Sequence, residues 1–383
     1  MIEKRDERKG LIKEIEEIRE SRLLVYFTGD RPYASSQIAE DAVRILYDHL
    51  LEIGKVKKID LFLYSRGGDV SVPWRIVSMI REFCDEFNVI IPYKAHSAAT
   101  LISLGADNII MCRKAELSPI DPTLVRGVSG TELPPEEISV EDINSYINFI
   151  KNKAGISDQM ALSQNIAILT DKIGPHVLGQ IDRMDHHIRL VARKMLVSRN
   201  KRLEEEKINS IIETLTEKIY SHGHAIGRKE AKEIGLSIIE PNEKLENLFW
   251  KLYIHYENFL KLTEPISPDV LLKEKEKEIL ENLPIAVIET TNKLHVFRTN
   301  LEIKKRREIP PNPEINVNLN LSLPPEVLES IRKEDKEKLQ LFYQQILEEL
   351  NRIIPSIVYE NLILQSPVIG FDIRFIGGWW KNE

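Results

Sequence analysis

Two short polar turns follow two apolar, β-rich runs in this chain of 383 residues, and the turns fit each other. Lys58-Ile-Asp-Leu-Phe-Leu-Tyr64 runs into Ser65-Arg66-Gly67-Gly68-Asp69-Val70, and Asn88-Val-Ile-Ile-Pro-Tyr93 leads to His96-Ser97-Ala98-Ala99-Thr100. Helical patterns follow each turn, over 74–87 and 98–105. The order is strand, Gly-Gly turn, helix, strand, then a serine at a helix start, so the chain must build a layered α/β fold. A glycine pair can turn backbone N–H groups outward, because Gly reaches positive φ without steric cost. A serine that opens a helix is surrounded by unpaired first-turn N–H groups, where negative charge is stabilised. An oxyanion hole and a nucleophile together are the minimum for acyl transfer.

Composition narrows the remaining classes. A net charge of −7 argues against a nucleic-acid protein, which would present a basic face. Two cysteines, Cys84 and Cys112, cannot make a disulfide framework and read as buried free thiols of a reducing cytoplasm. The opening stretch Met1-Ile-Glu-Lys-Arg-Asp-Glu-Arg-Lys is too acidic and apolar-poor for a signal peptide. No stretch reaches the roughly 18 apolar residues of a membrane span. The expectation is a soluble, cytoplasmic protein with no integral membrane span.

Along the chain, 1–20 reads as a charged N-terminal helix, solvated or used for oligomer contact rather than as a core element. Residues 21–240 read as one α/β domain: a strand over 21–28, an amphipathic helix over 37–53, the two motif units, a short strand over 108–112 and a loop-like insertion at 126–137. Helices are expected at 140–154, 159–169, 179–197 and 202–219. Residues 241–383 read as a separate C-terminal α+β domain of unknown role. It opens on a long helix over 243–262 and a charged run at 273–281, followed by a hairpin turning at Thr291-Asn292. After Pro310-Pro311-Asn312-Pro313 a strand over 315–323, a helix over 325–354 and a last strand over 371–376 are expected.

Three segments in order resemble the ClpP/crotonase superfamily, and within it the signal peptide peptidase A-like branch called serine dehydrogenase proteinase. They are Ser-Arg-Gly-Gly-Asp at 65–69, Ala95-His-Ser-Ala-Ala-Thr-Leu-Ile-Ser-Leu-Gly-Ala-Asp107 with Leu117-Ser-Pro-Ile-Asp-Pro122, and Gly223-His-Ala-Ile-Gly-Arg-Lys-Glu-Ala-Lys-Glu-Ile-Gly-Leu236. The resemblance implies a ClpP/crotonase-like ββα superhelix over roughly 20–240, with Gly235-Leu236 ending a helix ahead of the last core strand. It also implies a homo-oligomer acting on a peptide or protein substrate, without a cofactor. By this resemblance Ser97 is the nucleophile and the N–H groups of Gly68 (or Gly67) and Ala98 form the oxyanion hole.

Ser-His-Asp members of the superfamily carry their base soon after the serine, but the matching stretch Ser118-Pro-Ile-Asp121-Pro122 holds no histidine. An exposed carboxylate, reference pKa roughly 3.9, is a weak base toward an alcohol, so Asp121 is at most a cleft residue. The signal peptide peptidase A branch uses a lysine, which becomes a usable base once desolvation removes its charge. Lys172, in Thr170-Asp-Lys-Ile-Gly-Pro-His176, matches the segment that supplies it; Lys151 and Lys153 are rivals, and His176 lines the cleft or serves as the base. The adjacent His186 and His187 point about 100° apart on a helix, and the flanks of His222-Gly-His224 lack a ligand pattern, so no metal is expected. The expected function is a serine endopeptidase of the Ser/Lys dyad type. The alternatives are a crotonase-like acyl-CoA enzyme using the oxyanion hole alone, and a catalytically silent oligomeric scaffold.

Overall fold

The computed structural model describes residues 2–120, 123–126, 136–219, 223–308 and 333–383. The fold is the expected mixed α/β arrangement with one large sheet, and the C-terminal region contributes a helix and strands. By contacts the chain forms two compact units that interleave in sequence. The first comprises Met1–Ile266, Glu281–Asn300 and Gly377–Glu383; the second comprises Ser267–Leu280 and Leu301–Ile376.

The first unit is organised by five parallel strands, Arg22–Thr28, Val56–Tyr64, Cys84–Ile91, Asn108–Met111 and Ile238–Ile239. Their register aligns one apolar row, Val25 with Phe62, Phe62 with Ile90, and Ile90 and Ile239 each with Ile110. All but Ile239 in this row are buried, as expected for parallel strands covered on both faces. Helices Asp41–Ile53, Val72–Arg81, Ala98–Leu104 and Pro175–Val197 pack against one another beside the sheet. Helix Glu243–Phe259 supplies aromatic packing: Tyr253 and Tyr256 lie against Phe27, whose ring stacks on Tyr64 at 4.3 Å. Beyond Arg22–Thr28 the sheet of the first unit continues antiparallel onto residues 286–289, with Val25 opposite Glu289 and Thr28 opposite Ala286.

Several sequence expectations are corrected here. Helix Ile2–Arg19 is not a solvated arm. Ile12 and Ile15, three residues apart on one face, are fully buried, and Arg8 donates from Nε to Glu289 Oε2 at 2.8 Å. Tyr256 Oη donates to the same carboxylate oxygen at 2.8 Å. Most of the charged residues of this helix reach solvent, but Arg8 is buried beside the apolar face that Ile12 and Ile15 give to the core. The helix expected over 74–87 ends at Arg81, because Cys84 already pairs with Val56 in the parallel ladder. The insertion at 126–137 is flanked by strands Thr123–Arg126 and Glu136–Ser139, which pair antiparallel; residues 127–135 lie outside the described residues. The expected strand over 315–323 also lies outside them. Helix Lys333–Gln365 runs through Pro355, well past the expected end at 354.

The third motif behaves as expected. Helix Arg228–Ile234 is closed by Gly235 at φ +103°, and strand Ile238–Ile239 then joins Asn108–Met111. Cys84 and Cys112 are buried free thiols, and burial pushes both up to about 12. Among the described residues no helix is long and apolar enough to cross a membrane.

Candidate active site

Strands Val56–Tyr64 and Cys84–Ile91 are neighbours, so the two turns that follow them emerge side by side at the carboxyl edge of the sheet, where open α/β sheets place their sites. The ladder continues into the turns. Ser65 N–H donates to the Lys94 carbonyl at 3.0 Å, and His96 N–H donates to the Ser65 carbonyl at 3.0 Å. This stitching brings Gly67 against Ser97. A side-chain carbon at Gly67 would lie 2.7 Å from Ser97 Cβ and 3.2 Å from Ser97 Oγ, so only glycine tolerates the approach. Gly67 and Gly68 hold φ of +109° and +149°.

Ser97 is half-buried and precedes helix Ala98–Leu104 with φ +50° and ψ −113°, a region that L-residues other than glycine rarely occupy. Such strain costs on the order of 1–3 kcal/mol and survives only where the surroundings impose it. Its hydroxyl makes no capping bond to the helix it opens. Among the described residues Oγ has no hydrogen-bond partner. The main chain, by contrast, is held: Ser97 N–H donates to Ser118 Oγ at 2.8 Å, and the Ser97 carbonyl accepts from Leu101 N–H at 3.0 Å.

Of the three expected oxyanion donors, Gly67 is already committed. Its N–H donates to Ser65 Oγ at 3.0 Å, and that hydroxyl accepts from Thr28 Oγ1 at 2.7 Å. Among the described residues the N–H groups of Gly68 and Ala98 donate to nothing. Ser65 is fully buried and Ser118 nearly so. Sequence reading passed over both as supports of the site. The available signals were a hydroxyl directly before the glycines and another opening the Ser-Pro-Ile-Asp stretch.

Other expected residues fall as follows. His96 turns to Glu116, with Nε2 and Oε1 3.2 Å apart; burial pushes its pKa down against the pull of the Glu116 carboxylate. Asp69 Oδ1 accepts from the N–H and hydroxyl of Ser71, a local turn, and Arg66 is exposed. Lys172 sits in the last turn of helix Gln159–Ile173 and is exposed. His176 is exposed in the first turn of Pro175–Val197, and Lys151 and Lys153 are exposed on the π-helical turn Phe149–Lys153. No bond to Ser97 Oγ is made by any lysine or histidine among the described residues. Asp121 lies outside the described residues.

The class defined by these features is an α/β protein whose serine stands strained at a strand-to-helix turn beside a glycine pair. Residues 3–134 match the family described as ClpP-like SDH-type serine proteinase, the family that the motifs resemble. An uncharacterized protein of Methanocaldococcus jannaschii is 30% identical over 185 residues, 48% of this chain and 54% of its own length. A second from the same organism is 38% identical over 66 residues, 17% of this chain and 23% of its own. The chain therefore spans about half of one relative and a quarter of the other. Among solved structures, a variant of the 1510-N membrane-bound stomatin-specific protease is similar at 16% identity and a TM-score of 0.33, covering 55% of this chain and 79% of its own. ClpP1 from Listeria monocytogenes is similar at 16% identity and a TM-score of 0.32, covering 60% and 98% respectively.

Proposed function

We propose that this protein is a serine peptidase that cleaves peptide bonds through an acyl-enzyme on Ser97. The observation that carries the reading is the strained Ser97 held against the Gly67-Gly68 turn; among the described residues its Oγ and the N–H groups of Gly68 and Ala98 make no hydrogen bond. Ser97 Oγ attacks the scissile carbonyl carbon while a general base takes its proton. The oxyanion formed accepts from Gly68 and Ala98 N–H, with Gly67 shaping the turn. The base returns the proton to the leaving amine, and water then hydrolyses the ester. No cofactor enters this sequence of steps. Fluorophosphonate labelling followed by peptide mapping tests the reading: a label on Ser97 is expected, and its absence under conditions that label a control hydrolase overturns it.

The base in this proposal is Lys172. Because Lys172 is exposed, a bound peptide or a neighbouring copy of the chain must displace water from it before it can act. Lys172→Ala should lower the peptidase rate by about a hundredfold, the usual scale for a general base, while Lys151→Ala, Lys153→Ala and His176→Ala change little. A fully active Lys172→Ala beside an inactive member of that set would move the role to the inactive one. A second reading, a silent scaffold, is favoured by the absence of any base bonded to Ser97 Oγ among the described residues; labelling separates the two.

Self-association in the cytoplasm belongs to the same proposal. It is supported by the apolar surface left open on the helices after 140, where Phe149, Met160, Ile168 and Leu190 are each at least half exposed. Light scattering at micromolar concentration should give a multiple of the 44.3 kDa chain mass. A value equal to that mass contradicts self-association.

A further inference from the structure

We infer that Ser118 is a positioning residue whose hydroxyl holds the main chain of Ser97 in the conformation that presents Oγ; the inference rests on the assignment of Ser97 as nucleophile. Ser118 Oγ has one proton, and it is donated to the Pro119 carbonyl at 2.8 Å. The lone pairs of that oxygen are thereby left to accept, and the group they meet is the Ser97 N–H at 2.8 Å.

Ser118 is itself held through its main chain by Thr100. Its N–H donates to Thr100 Oγ1 at 3.2 Å, and its carbonyl accepts from the same hydroxyl at 3.1 Å. The single proton of Thr100 Oγ1 is shared with the Ala95 carbonyl, which lies nearer at 2.8 Å, and Thr100 is fully buried in the helix that Ser97 opens. Upstream, Leu117 extends the short parallel pairing of Lys94 with Glu116 and Ala95 with Leu117. Leu117 is anchored further by reciprocal main-chain bonds with Ile226, at 3.0 and 2.9 Å. The Ser118 oxygen is thus carried on a fixed segment.

A rigid acceptor is what a strained backbone requires. At φ +50° Ser97 would relax toward an ordinary region if its N–H were released, and Oγ would swing with it. A misplacement of about 1 Å in a reacting group costs on the order of a hundredfold in rate. Ser118, in a stretch that carries no histidine, therefore serves the site as a clamp on the proposed nucleophile.

The test compares wild type with Ser118→Ala and Ser118→Cys; the latter fills the space of the hydroxyl with a somewhat larger sulfur but replaces the oxygen with a weak acceptor. Both should fall about tenfold to a hundredfold in the maximal rate of fluorophosphonate labelling, with the probe's apparent affinity unchanged. Both should also show at least about tenfold faster hydrogen exchange at the Ser97 amide, read by mass spectrometry with residue-level fragmentation, with Leu101 still protected. A packing role alone would spare Ser118→Cys on both readouts. Wild-type labelling and unchanged Ser97 exchange in both variants overturn the inference. If wild type itself takes no label, the peptidase reading fails, and exchange at Ser97 still decides whether Ser118 is the clamp.

Discussion

Ser97→Ala removes fluorophosphonate labelling and lowers peptide cleavage by at least about a thousandfold, while the melting temperature stays within a degree or two of wild type. The first half follows from the proposed role of Oγ as the attacking atom, whose loss would leave only the proposed oxyanion donors and substrate binding. The second follows from the structure. Ser97 Oγ caps no helix end and has no hydrogen-bond partner among the described residues, so deleting it strands no polar group. Alanine at φ +50° is strained as serine is, and the bonds that hold the main chain, to Ser118 Oγ and Leu101 N–H, do not involve the deleted atom. Stability should change by no more than about 0.5 kcal/mol. Undiminished cleavage in this variant would remove the peptidase mechanism. A large drop in melting temperature would show that the hydroxyl serves the fold.

Gly68→Ala acts in the opposite way, damaging fold and site together. A methyl group there would sit 2.2 Å from the Ile38 carbonyl oxygen and 2.6 Å from its nitrogen, both backbone atoms. Ile38 cannot step aside easily. Its N–H donates to the Gly67 carbonyl at 2.8 Å, and its carbonyl accepts from Asp69 N–H at 2.9 Å. Relief therefore requires the glycine turn to move, carrying the Gly68 N–H away from Ser97. The expected loss is about 2–4 kcal/mol of stability, in the range of severe overpacking. Where the protein still folds, kcat/KM should fall by about a hundredfold or more, the usual effect of losing one oxyanion donor, the role proposed for Gly68. Gly10→Ala is the control: nothing lies within 4 Å of the added carbon in helix Ile2–Arg19, so it should be neutral or slightly stabilising. Thermal melts and peptidase assays on the pair check the argument, and wild-type behaviour of Gly68→Ala would sink it.

The sequence carried the local halves of the site because each depends on near neighbours. A β-rich run before Ser65-Arg66-Gly67-Gly68, and another before His96-Ser97, mark strand exits whatever the rest of the chain does. Gly235-Leu236 likewise announced the end of a helix and the strand after it. Local pattern failed where a distant partner decided the outcome. The helical periodicity over 74–87 gave way at Cys84 to a ladder with Val56–Tyr64. The charged helix Ile2–Arg19 became a core element because Ile12 and Ile15 are buried in the main core and Glu289, far along the chain, pairs with the buried Arg8.

The residue types at the proposed nucleophile and its glycine turn, and the family those motifs resemble, were therefore settled by sequence alone, since a turn, a strand exit and a helix start are short-range events. Which N–H groups stay free was decided only by tertiary structure: Ser65 takes the Gly67 N–H and Ser118 takes that of Ser97. The same is true of the exposure of Lys172, which no periodicity encodes. Hydrogen bonds are directional and saturable, so a hydroxyl brought in from another segment determines which groups remain for chemistry, and only the folded chain brings it there.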